Sequence, residues 1–149
     1  MQLNGEHVLK APRKVVWDML MDPDQLVKIT PGISELNKID KTNYEAISEI
    51  KIGPVKGRFT GAVELKDMIE PEQFTMVVSQ NSKIGNVKAN VDIHLDKVGN
   101  GQTRLTFDGK AQMSGLLART GSRVVSGVAN SLTKQFFDSF EKEIELMNS

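Results

Sequence analysis

The stretch LLARTGSRVVSGVANSLTKQFFDSFEKEIE, Leu116 to Glu145, decides how the chain folds. Its apolar residues recur at helical spacing and no proline interrupts them, so the pattern predicts one continuous helix from Leu116 to about Met147. Two glycines, Gly121 and Gly127, fall in its first half beside Ser122, Ser126 and Ala129. Each costs about 1 kcal/mol relative to alanine inside a helix. Phe136, Phe137 and Phe140 crowd the second half. One end is slim and the other bulky. Two readings stand: the glycines keep the helix narrow over a void, or they let it pack closely with no cavity.

Upstream, from Gly32 to Gly115, the sequence is almost entirely strand-like. It is punctuated at DKTN, IGP, IEPEQ, SKIG and VGNGQ, each a turn by its Gly, Pro, Asn or Asp content. Turns this short join antiparallel neighbours. Further back, QLNGEHVLK is a strand, APRKVVWDML a helix with proline near its start, and DPDQL a short helical turn closed by Thr30–Gly32. The predicted order is one strand, two short helices, about six strands and one long helix, an α+β domain covering residues 1–149. The long helix must bury its apolar stripe, and a sheet curved around it offers the surface to do so.

Alternation assigns the faces. Val55, Gly57, Phe59, Gly61, Val63 and Leu65 point inward, as do Val87, Ala89, Val91, Ile93 and Leu95, and Thr103, Leu105, Phe107, Gly109, Ala111 and Met113. Gly57, Gly61, Ala89, Gly109 and Ala111, joined by Ser48, are small where Val or Ile would fill space. Glycine within a strand marks a bend or the close approach of another group. The inward glycines therefore read either as curvature or as the floor of an apolar void. For the void, the predicted lining is Phe59, Gly61, Val63, Met76, Val78, Ala89, Val91, Leu105, Phe107, Gly109, Leu117, Gly121, Val124 and Val128, with Met19 and Leu20 closing one end. Val77 breaks the alternation around Met76 and Val78. Arg123, four residues after Arg119, is assigned to the mouth, where a guanidinium can hold a carbonyl or phosphate; the alternative is a solvated helix face.

Composition removes several classes of function. Among 149 residues, 19 are Lys or Arg and 19 are Asp or Glu, so formal net charge is zero and a nucleic-acid footprint is absent. There are no cysteines, which excludes thiolate chemistry and disulfides. Only two histidines exist: His94 between Asp92 and Asp96 on the watery face, and His7 in the first strand. No phosphate loop, dinucleotide fingerprint, G-x-S-x-G or HExxH occurs, so neither a metal site nor a catalytic set is assigned. The N-terminus lacks an apolar leader core and no run reaches a membrane span. The expected location is cytoplasmic, with Lys51, Lys56 and Arg58 available for weak peripheral contact at the inner face of the membrane.

Three segments, APRKVVWDMLMDPDQLVKITPG, IGPVKGRFTGAVELKDMIEPE and LLARTGSRVVSGVANSLTKQFFDSF, resemble the CoxG family of carbon monoxide dehydrogenase subunits. That family lies within the START and Bet v 1-like helix-grip group, and the resemblance spans nearly the whole chain. It implies a seven-stranded antiparallel sheet gripping the C-terminal helix around a hydrophobic cavity. It also implies a non-catalytic carrier for a lipophilic molecule such as a quinone or lipid. The partner it implies is a molybdenum-containing dehydrogenase that the carrier links to the membrane. Gly121 to Arg123 and Phe136–Phe137 match the family pattern, while SGLLA, Ser114 to Ala118, departs from the usual glycine pair. Two other functions remain open. A small cyclase or hydratase acting on a hydrophobic substrate in the same cavity requires an acid or base facing it, with Tyr44 and His7 as candidates. An interaction protein requires a filled core.

Overall fold

The computed structural model describes residues 1–148. β1 (Gln2–Leu9) leads into α1 (Arg13–Leu20) and α2 (Pro23–Ile29). Asp22 starts α2 by accepting a hydrogen bond from the Asp24 N–H at 3.0 Å, and Pro23 supplies the first helical residue without an orphan N–H. Six strands follow: β2 (Ile33–Lys38), β3 (Asn43–Ile52), β4 (Val55–Ile69), β5 (Gln73–Ser82), β6 (Gly85–Lys97) and β7 (Thr103–Met113). They form one seven-stranded sheet in the order β1-β7-β6-β5-β4-β3-β2, antiparallel at every step. The α+β class, the strand count, the two helices after β1 and all five turns agree with the sequence reading.

The C-terminal helix does not. It is interrupted at Thr120 and Gly121, giving a short α3 (Leu116–Arg119) and a long α4 (Ser122–Met147). The cause is local. Leu117 donates its N–H to the Ile84 carbonyl at 2.9 Å, which ties α3 to the β5–β6 turn. The Thr120 hydroxyl closes α3 onto the Leu116 carbonyl at 2.8 Å. To leave that anchor and cross the sheet the chain must turn, and it does so at Gly121, whose φ of +105° is open to glycine and strained for other residues. Gly121 is thus the residue before α4 rather than a gap within a helix. Gly127 does lie inside α4, but it is exposed, and an added Cβ there would meet nothing within 4 Å.

The bulky half of α4 behaves as expected. Phe137, Phe140 and Ile144 are buried with Leu9, Val16, Trp17, Ile29, Leu95 and Leu105 in the largest core cluster, at the end of the molecule covered by α1 and α2. Trp17 meets Phe74 edge-on at 5.5 Å, and Phe136 packs edge-on against both Phe137 and Phe140. A smaller cluster at the opposite end joins Ile52, Phe59 and Leu117, with Val128 against it. The middle of the sheet lies between these two plugs.

Candidate functional site

The strand register lays the inner face out in rows. Ala111, Ala89, Val78, Val63 and Tyr44 stand side by side, and Met113, Val87, Gln80, Gly61 and Ala46 form the next row. On the other side run Gly109, Val91, Met76 and Leu65. Most of these side chains are short, so the centre of the concave face is a shallow floor. Ala89, Val91 and Ala111 form a third buried cluster there, joined by Leu3, Met76, Val78, Ile93 and Phe107. Every member comes from the sheet. α4 adds Phe136, Phe137, Phe140 and Ile144 to the main core and Val128 to the Phe59–Leu117 cluster, its Val125 is buried and its Leu132 half-buried, and its Phe137 stacks on Phe107 of the floor cluster.

Toward β1, α4 presents Ser126, Ala129, Asn130 and Thr133, all small or polar. Where α4 passes β1, one of the two edge strands of the sheet, a half-open groove of about 370 Å³ separates them. Its walls are β1 from Met1 to His7, the α4 residues Ser126, Ala129, Asn130, Thr133, Lys134, Phe137 and Asp138, and Phe107 from β7. The volume falls within the few hundred Å³ usual for small-molecule sites. Its lining mixes an apolar interior, Leu3, Phe107, Ala129 and Phe137, with hydrogen-bonding groups on Asn4, Asn130, Thr133 and Lys134. Lys134 is held on the helix by Asp138 at 2.7 Å, and that hydrogen bond raises its pKa. At the far end His7 stacks on Phe137, ring centres 4.6 Å apart, and its Nε2 lies 2.6 Å from Glu141 Oε1. Gly5 makes room for the Phe107 ring, whose Cζ lies 2.8 Å from where a Cβ would be.

The inward glycines of the sheet are not holes. At Gly61 a Cβ would collide with the Ser79 carbonyl, and at Gly109 with the Asn90 carbonyl and, at 2.7 Å, with the Val91 Cα. Both mark backbone meeting backbone in a sharply coiled sheet. At Gly57 the space is filled by Ile84 and Phe59. Of the two readings, curvature accounts for Gly61 and Gly109, side-chain packing accounts for Gly57, and the shallow floor is made by alanines and valines.

The residues assigned from sequence divide accordingly. Gly61, Val63, Met76, Val78, Ala89, Val91, Leu105, Phe107 and Gly109 share the concave face, with Phe59, Leu117 and Val128 at its α3 end. Phe107 alone of them lines the open groove. Gly121, Arg123 and Val124 are exposed, and Val125 takes the buried position that the unbroken helix assigned to Val124. The interruption at Gly121 shifts the phase. For the same reason Arg119 and Arg123 belong to different helices. Met19 and Leu20 are buried in the main core.

Sequence reading missed β1 as a wall, because its alternation is weak, and missed the polar helix face Ser126–Asn130–Thr133, whose spacing of four and three was the available signal. It also missed Gln80. The parity of Phe74, Met76 and Val78 carries Gln80 inward, where it is 9% exposed and its Oε1 has no hydrogen-bond partner. Tyr44 is buried in the main core, and desolvation raises its pKa. It does not reach the groove beside β1. Among the described residues no cluster of His, Asp and Glu has the arrangement to hold a metal ion.

Comparison with known proteins follows the same lines. The family model for CoxG, a subunit of carbon monoxide dehydrogenase, matches residues 5–145. A conserved protein from Geobacillus kaustophilus is 33% identical over 97% of this chain and 95% of its own, with a TM-score of 0.92. A START superfamily protein from Mycobacterium smegmatis superposes with a TM-score of 0.73 at 13% identity, covering 98% of both chains. The Zhui aromatase/cyclase from Streptomyces sp. R1128 gives 0.72 at 12% identity, over 97% of this chain and 93% of that one. At those identities the last two show the fold alone, which is START/Bet v 1-like. No curated protein matches the chain.

Proposed function

This chain belongs to the CoxG family of carbon monoxide dehydrogenase subunits, and we propose that it is a non-catalytic carrier of a neutral lipophilic molecule, of the quinone class, serving a carbon monoxide dehydrogenase-type enzyme. The observation that supports this reading is the half-open groove of about 370 Å³ between β1 and α4, whose apolar residues Leu3 and Phe107 join it to the buried Ala89–Val91–Ala111 cluster of the sheet. A neutral ligand suits it, because the inward residues of the floor carry no charge and an ionised group there would be left unpaired, at a cost of several kcal/mol. A quinone ring and tail would cover the floor, while its carbonyls would accept hydrogen bonds from Asn4, Asn130 or Lys134 along the groove. Arg123, exposed on the first turn of α4, does not line the groove and is not the donor in this reading.

No described helix is long and apolar enough to cross a membrane. Loading from a bilayer would therefore proceed by peripheral contact, with transfer of the ligand to the partner enzyme by direct docking. The competing enzyme reading draws on His7, the one titratable ring beside the groove, paired with Glu141. It would require turnover of a hydrophobic substrate that is abolished in His7→Gln.

The carrier reading is tested by titrating the protein with a short-chain quinone and an apolar fluorescent probe, in wild type and in Ala89→Leu and Ala111→Leu. Both substitutions fill the floor without touching the backbone contacts at Gly61 and Gly109. Saturable binding in the wild type, lost in both variants with the fold retained, is the expected result. Equal binding in all three proteins, or none in any, overturns it.

A further inference from the structure

A second concavity, sharing no residue with the groove at β1, opens where α1 meets the ends of β2, β3 and β4. Its volume is about 390 Å³. Trp17, Met21, Tyr44 and Met68 form its apolar walls, and Asp18, Glu70, Lys38 and Lys41 bring charge to it. Trp17 is 2% exposed and Tyr44 4% exposed, and both line this space. Buried tryptophan and tyrosine side chains ordinarily find a partner for their polar ends. Here the Trp17 indole N–H and the Tyr44 hydroxyl have none among the described residues, and neither is sealed from solvent. The charges are unevenly engaged. Lys14 lies 2.9 Å from Asp18 and 3.6 Å from Glu70, so both carboxylates are paired. Lys38 and Lys41 form no ion pair with a described residue. Asp40, the acid of their own turn, is taken up by Thr42 and Asn43. What remains unengaged is two ammonium groups, an indole N–H and a phenol, and each of them can donate.

We propose that this pocket is a second binding site, for a small organic anion: a carboxylate carried on an aromatic or alicyclic ring. The free donors of Trp17 and Tyr44 pair with the carboxylate oxygens, and Lys38 and Lys41 supply the opposite charge from the rim. The ring of the ligand lies against Met21, Met68 and the aromatic walls. An uncharged analogue keeps that apolar contact and loses the charge-assisted hydrogen bonds, which are roughly twice as strong as neutral ones. The site is independent of the carrier reading, whose ligand is neutral and lies at β1.

Trp17 is the only tryptophan of the chain, so its indole N–H gives one site-specific signal in proton–nitrogen correlation spectra. The test titrates cyclohexanecarboxylate and cyclohexanemethanol at neutral pH into wild type and into the double variant Lys38→Gln, Lys41→Gln, whose changes fall on exposed side chains. In the wild type the carboxylate is expected to shift the indole signal saturably and to bind about tenfold more tightly than the alcohol. In the double variant that preference is expected to fall to about threefold or less, through loss of carboxylate binding. No saturable shift with the carboxylate overturns the inference, as does equal affinity of the two probes for the wild type. A preference that survives unchanged in the double variant also overturns it. The wild-type comparison decides the matter even where the variant folds poorly, and quinone binding at β1 is unaffected by any of these outcomes.

Discussion

His7 lies flat on Phe137, ring centres 4.6 Å apart and planes 12° from parallel, so the edge strand and the closing helix meet face to face at one end of the groove. Phe137 also stacks with Phe107 and meets Phe136 edge-on. It is thus the point where the main core ends and the open groove begins. Phe137→Ala removes a 6% exposed ring and all three aromatic contacts, with an expected loss of about 3–5 kcal/mol of stability. Urea unfolding measures it; a loss under about 1 kcal/mol would mean that the groove end is not held by this stack.

The two glycines of the C-terminal segment should respond in opposite ways. Gly127 is helical with open space around it, so Gly127→Ala is expected to stabilise the protein by about 0.5–1 kcal/mol. Gly121 also has open space, but its φ of +105° makes Gly121→Ala destabilising by about 1–3 kcal/mol. Thermal unfolding of the two variants side by side checks the pair. The same sign for both would contradict the interruption between α3 and α4.

Gly61 and Gly109 are expected to be intolerant for a different reason. A methyl group at either meets the backbone of the neighbouring strand, which has no soft side chain to move aside. Gly61→Ala and Gly109→Ala should each cost more than Ala89→Leu, although the latter adds far more volume. Melting temperatures in the reverse order would show that the floor is filled and the glycines are free.

Asp40 organises the β2–β3 turn. Its carboxylate accepts hydrogen bonds from the Thr42 N–H and, through Oδ1 and Oδ2, from the Asn43 side chain, with the Asn43 N–H adding another. These bonds hold its pKa below the ordinary carboxylate value, the Thr42 N–H contributing most. A carboxylate depressed on folding contributes stability that is present above its unfolded pKa, near 4, and is lost as pH falls through the folded value. The stability difference between wild type and Asp40→Asn is therefore expected to shrink as pH drops below about 4. A difference independent of pH in that range would mean that the charge plays no part in the turn.

Much of this molecule is legible in the order of its residues. Alternation in β4, β6 and β7 assigned the inner face, and the punctuation between strands located all five turns, because both depend on nearest neighbours along the chain. The phenylalanine-rich end of α4 announced the main core in the same way. What escaped depends on contacts distant in sequence. The break at Gly121 arises because Leu117 is tied to Ile84, and helical periodicity carries no trace of that bond. The inward glycines looked like missing volume, yet Ser79 and Asn90 from adjacent strands occupy the space at Gly61 and Gly109. The wall at β1 became visible only once β1 stood at the edge of the sheet beside α4.

If the protein is a carrier, an apolar molecule lies between α4 and the floor of the sheet. Methyl-resolved NMR of the protein, titrated with a short-chain quinone, tests this most directly. Saturable shifts should concentrate on Ala89, Val91, Ala111 and Val78, with Val128 affected at the rim and the exposed Ile39 and Met68 unmoved. Shifts confined to exposed methyl groups, or none that saturate, would contradict it.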